Sequence, residues 1–264
     1  MKVAARVEAV GIAGPGLAGW NEAAAILSGS VPYVSRPTAI PVPETLPPVE
    51  RRRAGKSVRL SLAVGLEAAA GAGRSARDMV AVFTSSTGDG ENLHAICETL
   101  ASDDRMISPT RFHNSVHNAP SGYWGIATGA MHAADSLAAF DASFGAGLIE
   151  AAARLAANPS VPVLLIAYDS PYPEPLHTTR PIPDSFGVAL ALASPAHSSK
   201  GALLTLETTR EAPQALADGA LETLRRGIPA ARALPLLRLL ARGGGGRVTL
   251  AYLDGLSLAA EVSA

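Results

Sequence analysis

The chain has 264 residues, 48% apolar and 17% charged, with 22 Lys and Arg against 23 Asp and Glu for a net charge of −1. This composition excludes intrinsic disorder and suits one large domain, while the charge balance excludes a dedicated nucleic-acid surface, which would leave a basic excess. One cysteine, Cys97, excludes an internal disulfide and fits a reducing, cytoplasmic setting.

No apolar run approaches the ~20 residues of a membrane-spanning helix. Arg6 and Glu8 stand where a signal peptide would be uncharged. Residues 3–13 predict a strand, broken by Gly14-Pro15-Gly16, and Trp20 to Leu27 a short helix. Residues 30–56 are proline-dense and aperiodic. They end in Arg51-Arg52-Arg53, which reads as a solvated helix start or as a partner or phosphate contact. Val58, Leu62, Leu66 and Ala69 lie on one helix face, ended by Gly71-Ala72-Gly73. Met79 to Ser85 predicts a buried strand, and Glu91 to Leu100 a helix with Cys97 as a small buried hydrophobe.

Ser136 to Phe140, Ser143 to Ala157 and Val161 to Tyr168 read as strand, helix and buried strand. That is a βαβ unit, placed at the centre of a parallel sheet covered by helices. Strands follow at Phe186 to Ala193 and Ala202 to Thr209, then helical stretches near 214–226 and 229–241. A hairpin turns at Asp254-Gly255 between Arg247 to Leu253 and Leu256 to Val262. The pattern is α/β, a mixed, mainly parallel sheet with an antiparallel addition, read as a single domain over 1–264.

In such sheets chemistry gathers beyond the carboxyl ends of strands, here loops 85–90, 108–122, 141–143 and 169–180. Phe140-Asp141-Ala142-Ser143 is the tightest strand-to-helix junction. Asp141 or Ser143 could be the helix N-cap. Ser143 could instead be a hydrolase nucleophile, although Asp141-Ala142-Ser143-Phe144-Gly145 lacks the first glycine of G-x-S-x-G. His113 and His117 have a metal-ligand spacing, but a polar surface or interface loop explains them better than a metal site. Arg242-Gly243-Gly244-Gly245-Gly246-Arg247 precedes a strand and reads as a linker, not a phosphate cradle.

SLAAFDASFGAGLIEAAARL resembles the active-site elbow of β-ketoacyl synthases, where a short strand ends at a nucleophilic Cys followed by Ala-Ser-Gly. SVRLSLAVGLEAAAGAG, VAVFTSSTGDGENLHAICETL, SPTRFHNSVHNAPSGYWGIATGAMHAADSLAAF and PIPDSFGVALALAS resemble other segments of that family in the same order, over roughly residues 1–210. The resemblance implies a thiolase-like half-fold. It sets Asp141 at the nucleophile position. The family's two histidines come from a second half that the residues after 210 do not resemble, and no histidine follows His197. The Cys-His-His set is therefore not assembled by this chain.

The resemblance is best to the Cys-less chain-length factors. It implies a non-catalytic subunit that forms a heterodimer with an active β-ketoacyl-ACP synthase in fatty acid or polyketide (aryl polyene) biosynthesis, with acyl carrier protein as a further partner and no cofactor. The family's own activity is acyl transfer by β-ketoacyl-ACP synthase. A serine-dependent acyltransferase or hydrolase using Ser143, or a malonyl decarboxylase, are the alternatives. From Phe112 to Ala134 there is no charged residue. Phe112, His113, Asn114, His117, Tyr123 and Trp124 are thus the interface candidates, unless this segment fills the chain's own core.

Overall fold

The computed structural model describes residues 2–263. The chain enters on β1 (Lys2–Gly14), and β2 (Leu17–Ala18) folds back on its end. Helix α1 (Trp20–Ser28) follows, and the proline-dense segment runs irregularly to α2 (Pro48–Arg53) and α3 (Lys56–Gly71). Next come β3 (Val80–Thr84), α4 (Gly90–Ala101), α5 (Pro109–His113) and α6 (Ala119–Thr128). The βαβ unit is β4 (Ala134–Leu137), α7 (Ser143–Ala157) and β5 (Val163–Asp169). Helix α8 (Leu176–Thr179), β6 (Phe186–Ala193), β7 (Ala202–Thr209), α9 (Gly219–Gly227), α10 (Leu234–Arg242), β8 (Gly246–Leu253) and β9 (Leu256–Ser263) complete it.

One mixed sheet runs β4-β3-β5-β6-β1-β7-β9-β8. Its parallel part is β4-β3-β5, and from β6 onward every pairing is antiparallel. The antiparallel share exceeds what the sequence pattern suggests, because β6 reverses beside β5 and β1 inserts between β6 and β7. The βαβ unit belongs to this sheet, but β4 is its outer edge and not its centre. The crossover through α7 skips one place, which β3 fills.

Helices cover both faces. α1, α7, α9 and α10 pack with Val10, Ile12, Leu165, Leu190 and Leu204 on one side. α3 and α6 pack with Phe83, Leu164, Ile166 and Ala191 on the other. All seven residues of β5 are buried, as a strand covered on both faces requires. Two glycines set how closely the layers approach. A Cβ on Gly11 of β1 would lie 2.0 Å from the Val64 carbonyl oxygen of α3. A Cβ on Gly147 of α7 would lie 2.7 Å from the Thr84 methyl group at the end of β3. The charged Glu8 sits where the β1–β6 register shifts, and Arg74 and Ser198 bond its carboxylate. This is how the strand accommodates a charge that marked the segment in the sequence.

Cys97 is exposed, contrary to its reading as a buried hydrophobe, because α4 turns Ile96 inward and leaves Leu93, Cys97 and Leu100 facing out. No described helix is long and apolar enough to cross a membrane.

Candidate functional site

The strand predicted over Ser136 to Phe140 stops at Leu137, and a 3₁₀ turn over Phe140–Ala142 leads directly into α7. Phe140 adopts φ 51°, a left-handed conformation that costs a non-glycine residue about 1–2 kcal/mol. Ser143 holds that turn: its Oγ accepts from the Ala139 N–H at 3.0 Å and donates to the Phe140 carbonyl at 2.7 Å. Thr84 Oγ1 donates to the Ser143 carbonyl at 2.8 Å, tying the elbow to β3. Neither Asp141 nor Ser143 is the N-cap of α7, which starts behind Ala142 with no side-chain cap. The serine hydroxyl is spent on the preceding turn instead.

Asp141 lies between two arginines. Arg180 Nη2 donates to one carboxylate oxygen at 2.6 Å and Arg232 Nη2 to the other at 2.8 Å. The Arg180 guanidinium also lies 3.8 Å over the ring of Phe140, a cation–π contact that braces the strained residue. Arg232 comes from the 3₁₀ turn Pro229–Ala233, and burial pulls its pKa down against the pull of Asp141. A carboxylate with both oxygens engaged by guanidinium groups is held as a charge partner, not as a free nucleophile.

Asp169, at the carboxyl end of β5, fixes the surrounding loops. One of its oxygens accepts from the Ser86 N–H at 2.8 Å, Ser86 Oγ at 2.6 Å and Ser85 Oγ at 3.3 Å. The other accepts from the Ala230 N–H at 2.8 Å. Burial pushes its pKa up to about 6, although these hydrogen bonds oppose the shift. Loops 85–90, 141–143 and 169–180 thus meet as sequence reasoning placed them, and loop 108–122 joins through a small cleft shared by Gly88, Asp89, Asn114 and His117. Sequence reasoning missed Phe140, Asp169, Arg180 and Arg232 as individual residues. Arg180 and Asp169 had a signal in lying on a strand-end loop; Arg232 had none.

The interface candidates divide. Phe112 is 68% exposed, and His113 is exposed with its ring edge-on to Tyr123. Tyr123 and Trp124 are corrected to core residues of this chain. The Tyr123 hydroxyl bonds Asn114 Oδ1 at 3.1 Å, and Trp124 meets Phe83 edge to face. Asn114 is buried too, its amide donating to the Arg53 carbonyl at 2.8 Å. Both ring nitrogens of His117 are buried without a hydrogen-bond partner. Helix α5 ends at His113, so His113 and His117 do not share a helix, and no cluster of three metal-ligating side chains occurs among the described residues. Outward-facing apolar residues on this stretch are Phe112, Val116, Ile126 and Met131, followed by β4, whose outer edge has no strand partner among the described residues.

A separate cavity of about 500 Å³ lies beside α2, α3, α4 and α5. Arg52, Arg53, Lys56, Arg59 and Arg111 line it against only two acids, Asp89 and Glu91. Arg51 turns away and donates to the carbonyls of Glu44 and Leu46, so the arginine run is part turn-lock and part cavity wall.

Among solved structures, the chain is similar to a ketosynthase in complex with its chain length factor from Xenorhabdus doucetiae, at 24% identity and TM-score 0.73, covering 98% of this chain and 99% of that one. It is also similar to the ishigamide ketosynthase/chain length factor, at 15% identity and TM-score 0.71, over 98% and 99% of the two chains. A type II polyketide acyl-carrier protein complex with its hexaketide-bound ketosynthase matches at 12% identity and TM-score 0.75 over the whole of both chains. These likenesses show a shared, thiolase-like fold. No curated protein matches. The family model described as beta-ketoacyl synthase, N-terminal domain, matches residues 21–241, and the chain belongs to that family.

Proposed function

We propose that the chain is a non-catalytic, chain-length-factor-type subunit. It works beside an active β-ketoacyl-ACP synthase in cytoplasmic fatty acid or polyketide synthesis, aryl polyene synthesis included. One observation carries the reading: both oxygens of Asp141, the residue that the resemblance sets at the family's nucleophile position, are taken by Arg180 and Arg232. Decarboxylative condensation needs a thiolate to carry the acyl group and donors for the developing enolate. The Ser143 alternative gains nothing from the geometry, since that hydroxyl donates to a backbone carbonyl and not to a histidine.

Three features support a partner. The unpaired edge of β4 is a template for another chain. Exposed Phe112, Val116, Ile126 and Met131 lie on the stretch leading to it, and Asp135 Oδ2, Ser136 Oγ and the His117 ring nitrogens are buried without partners. The fold neighbours include ketosynthase assemblies with a chain length factor and, in one case, an acyl carrier protein. The cationic cavity suits an acidic carrier protein and the phosphodiester of its arm. Two core clusters built on one sheet support reading 1–264 as a single unit.

The test is a condensation assay with acyl- and malonyl-carrier protein. The chain alone forms no product, Asp141→Cys alone forms none, and adding the partner synthase gives extension. Condensation by the chain alone, or by Asp141→Cys alone, contradicts the proposal.

A further inference from the structure

At the opposite end of the sheet from β4, a groove of about 310 Å³ lies between residues 214–217, α10 and β8. Leu216, Leu239 and Val248 form apolar walls, and Arg238 and Arg242 supply two guanidinium groups. Among the described residues the lining contains no carboxylate. Four residues apart on α10, the two arginines share one side of the helix, where like charges disfavour each other. Neither forms an ion pair among the described residues, and Arg238 Nε is buried without a hydrogen-bond partner. The acids next to the segment are committed elsewhere: Asp218 accepts from the Ala220 and Leu221 N–H groups at the start of α9, and Glu222 takes the Leu216 N–H at 2.9 Å and the Arg225 guanidinium at 2.6 Å, with Arg225 holding its pKa down at about 2. The 214–217 wall is itself anchored, since the Gln214 N–H donates to the Thr249 carbonyl at 2.8 Å.

A formed groove with apolar walls and two unpaired guanidinium groups calls for a ligand that is apolar along its length and anionic at one end. We propose that this groove binds a single-chain amphipathic carboxylate, its head on Arg238 and Arg242 and its tail against Leu216, Leu239 and Val248. Neither Asp141 nor any residue of β4 lines this groove, so it stands apart from the function proposed above. The volume is near the lower limit of small-molecule sites, about 300 Å³, which favours a medium chain over a long one. The head offsets the repulsion between Arg238 and Arg242, and charge-assisted hydrogen bonds to a carboxylate are the stronger kind.

The test is titration of the full chain with octanoate, octanol and acetate, followed by calorimetry and by the ¹⁵N Nε–Hε signals of the arginines. Octanoate should bind, shift the Arg238 signal and bind at least roughly tenfold more tightly than octanol or acetate. Arg238→Gln should weaken octanoate by roughly tenfold or more, and Arg242→Gln should weaken it as well. Both arginines are outside any ion pair, so these variants keep the fold, checked by unchanged thermal unfolding. Equal binding of octanol, equal binding of acetate, no octanoate binding, or unchanged affinity in both variants overturns the proposal.

Discussion

Asp169→Ala should lower folding stability by about 3 kcal/mol at about pH 5, because the Ser86 and Ala230 N–H groups lose their buried acceptor. The two serine hydroxyls can turn elsewhere; the backbone donors cannot. The damage should reach the elbow, since Ala230 and Arg232 share one short turn and Arg232 holds Asp141. Asp169 also gives stability a pH dependence. Its pKa stands at about 6 in the fold against 3.8 as an ordinary aspartate, so the folded state binds this proton more tightly. The resulting stabilisation is complete below pH 3.8 and is lost as pH rises through about 6. Across that window its size is of order 3 kcal/mol. Asp169→Asn removes the titration. Urea unfolding at several pH values should therefore show the unsubstituted chain losing stability relative to Asp169→Asn from about pH 4 to pH 7. A difference that stays flat over that range contradicts the assignment.

Phe112→Asp combined with Ile126→Asp should abolish assembly with the synthase while leaving the fold intact. Both side chains are substantially exposed, so each substitution alters stability by less than about 0.5 kcal/mol. In an interface core, each buried charge replacing an apolar anchor costs about 2 kcal/mol or more, and the pair weakens binding roughly a hundredfold or more. Tyr123→Ala provides the contrast. It removes a core ring and the hydroxyl that bonds Asn114, so it lowers stability by several kcal/mol, about 3–5 on the scale of large core truncations. Unchanged synthase affinity in the double variant, measured by biolayer interferometry, places the partner surface elsewhere.

The sheet was legible where apolar and β-branched residues dominate, whether the strand is fully buried as β6 is or partly as β7 is. Phe186 to Ala193 and Ala202 to Thr209 match β6 and β7 end for end, because short runs rich in apolar and β-branched residues, with Ser, Pro or Gly close to their ends, favour strands. The hairpin at Asp254-Gly255 was legible from its turn chemistry. The charge-free stretch from Phe112 to Ala134 was not. With no polar face to set against an apolar one, its helices give no clue which side turns inward, and Tyr123 and Trp124 went in while Phe112 and Ile126 stayed out. The elbow was legible as a position but not as a device. No local pattern marks Phe140 as left-handed, since the conformation is imposed by Ser143 and Arg180. Nor does spacing reveal that Asp141 pairs with residues 39 and 91 positions away. Such pairs exist only once the loops at the strand ends have been brought together.

The central claim is that this chain is a partner subunit, and co-purification tests it most directly. Co-expressed with an active β-ketoacyl-ACP synthase from the same source and analysed by size-exclusion chromatography with light scattering, the chain should elute in a one-to-one heterodimer. A stable monomer that never co-elutes with that enzyme contradicts the account.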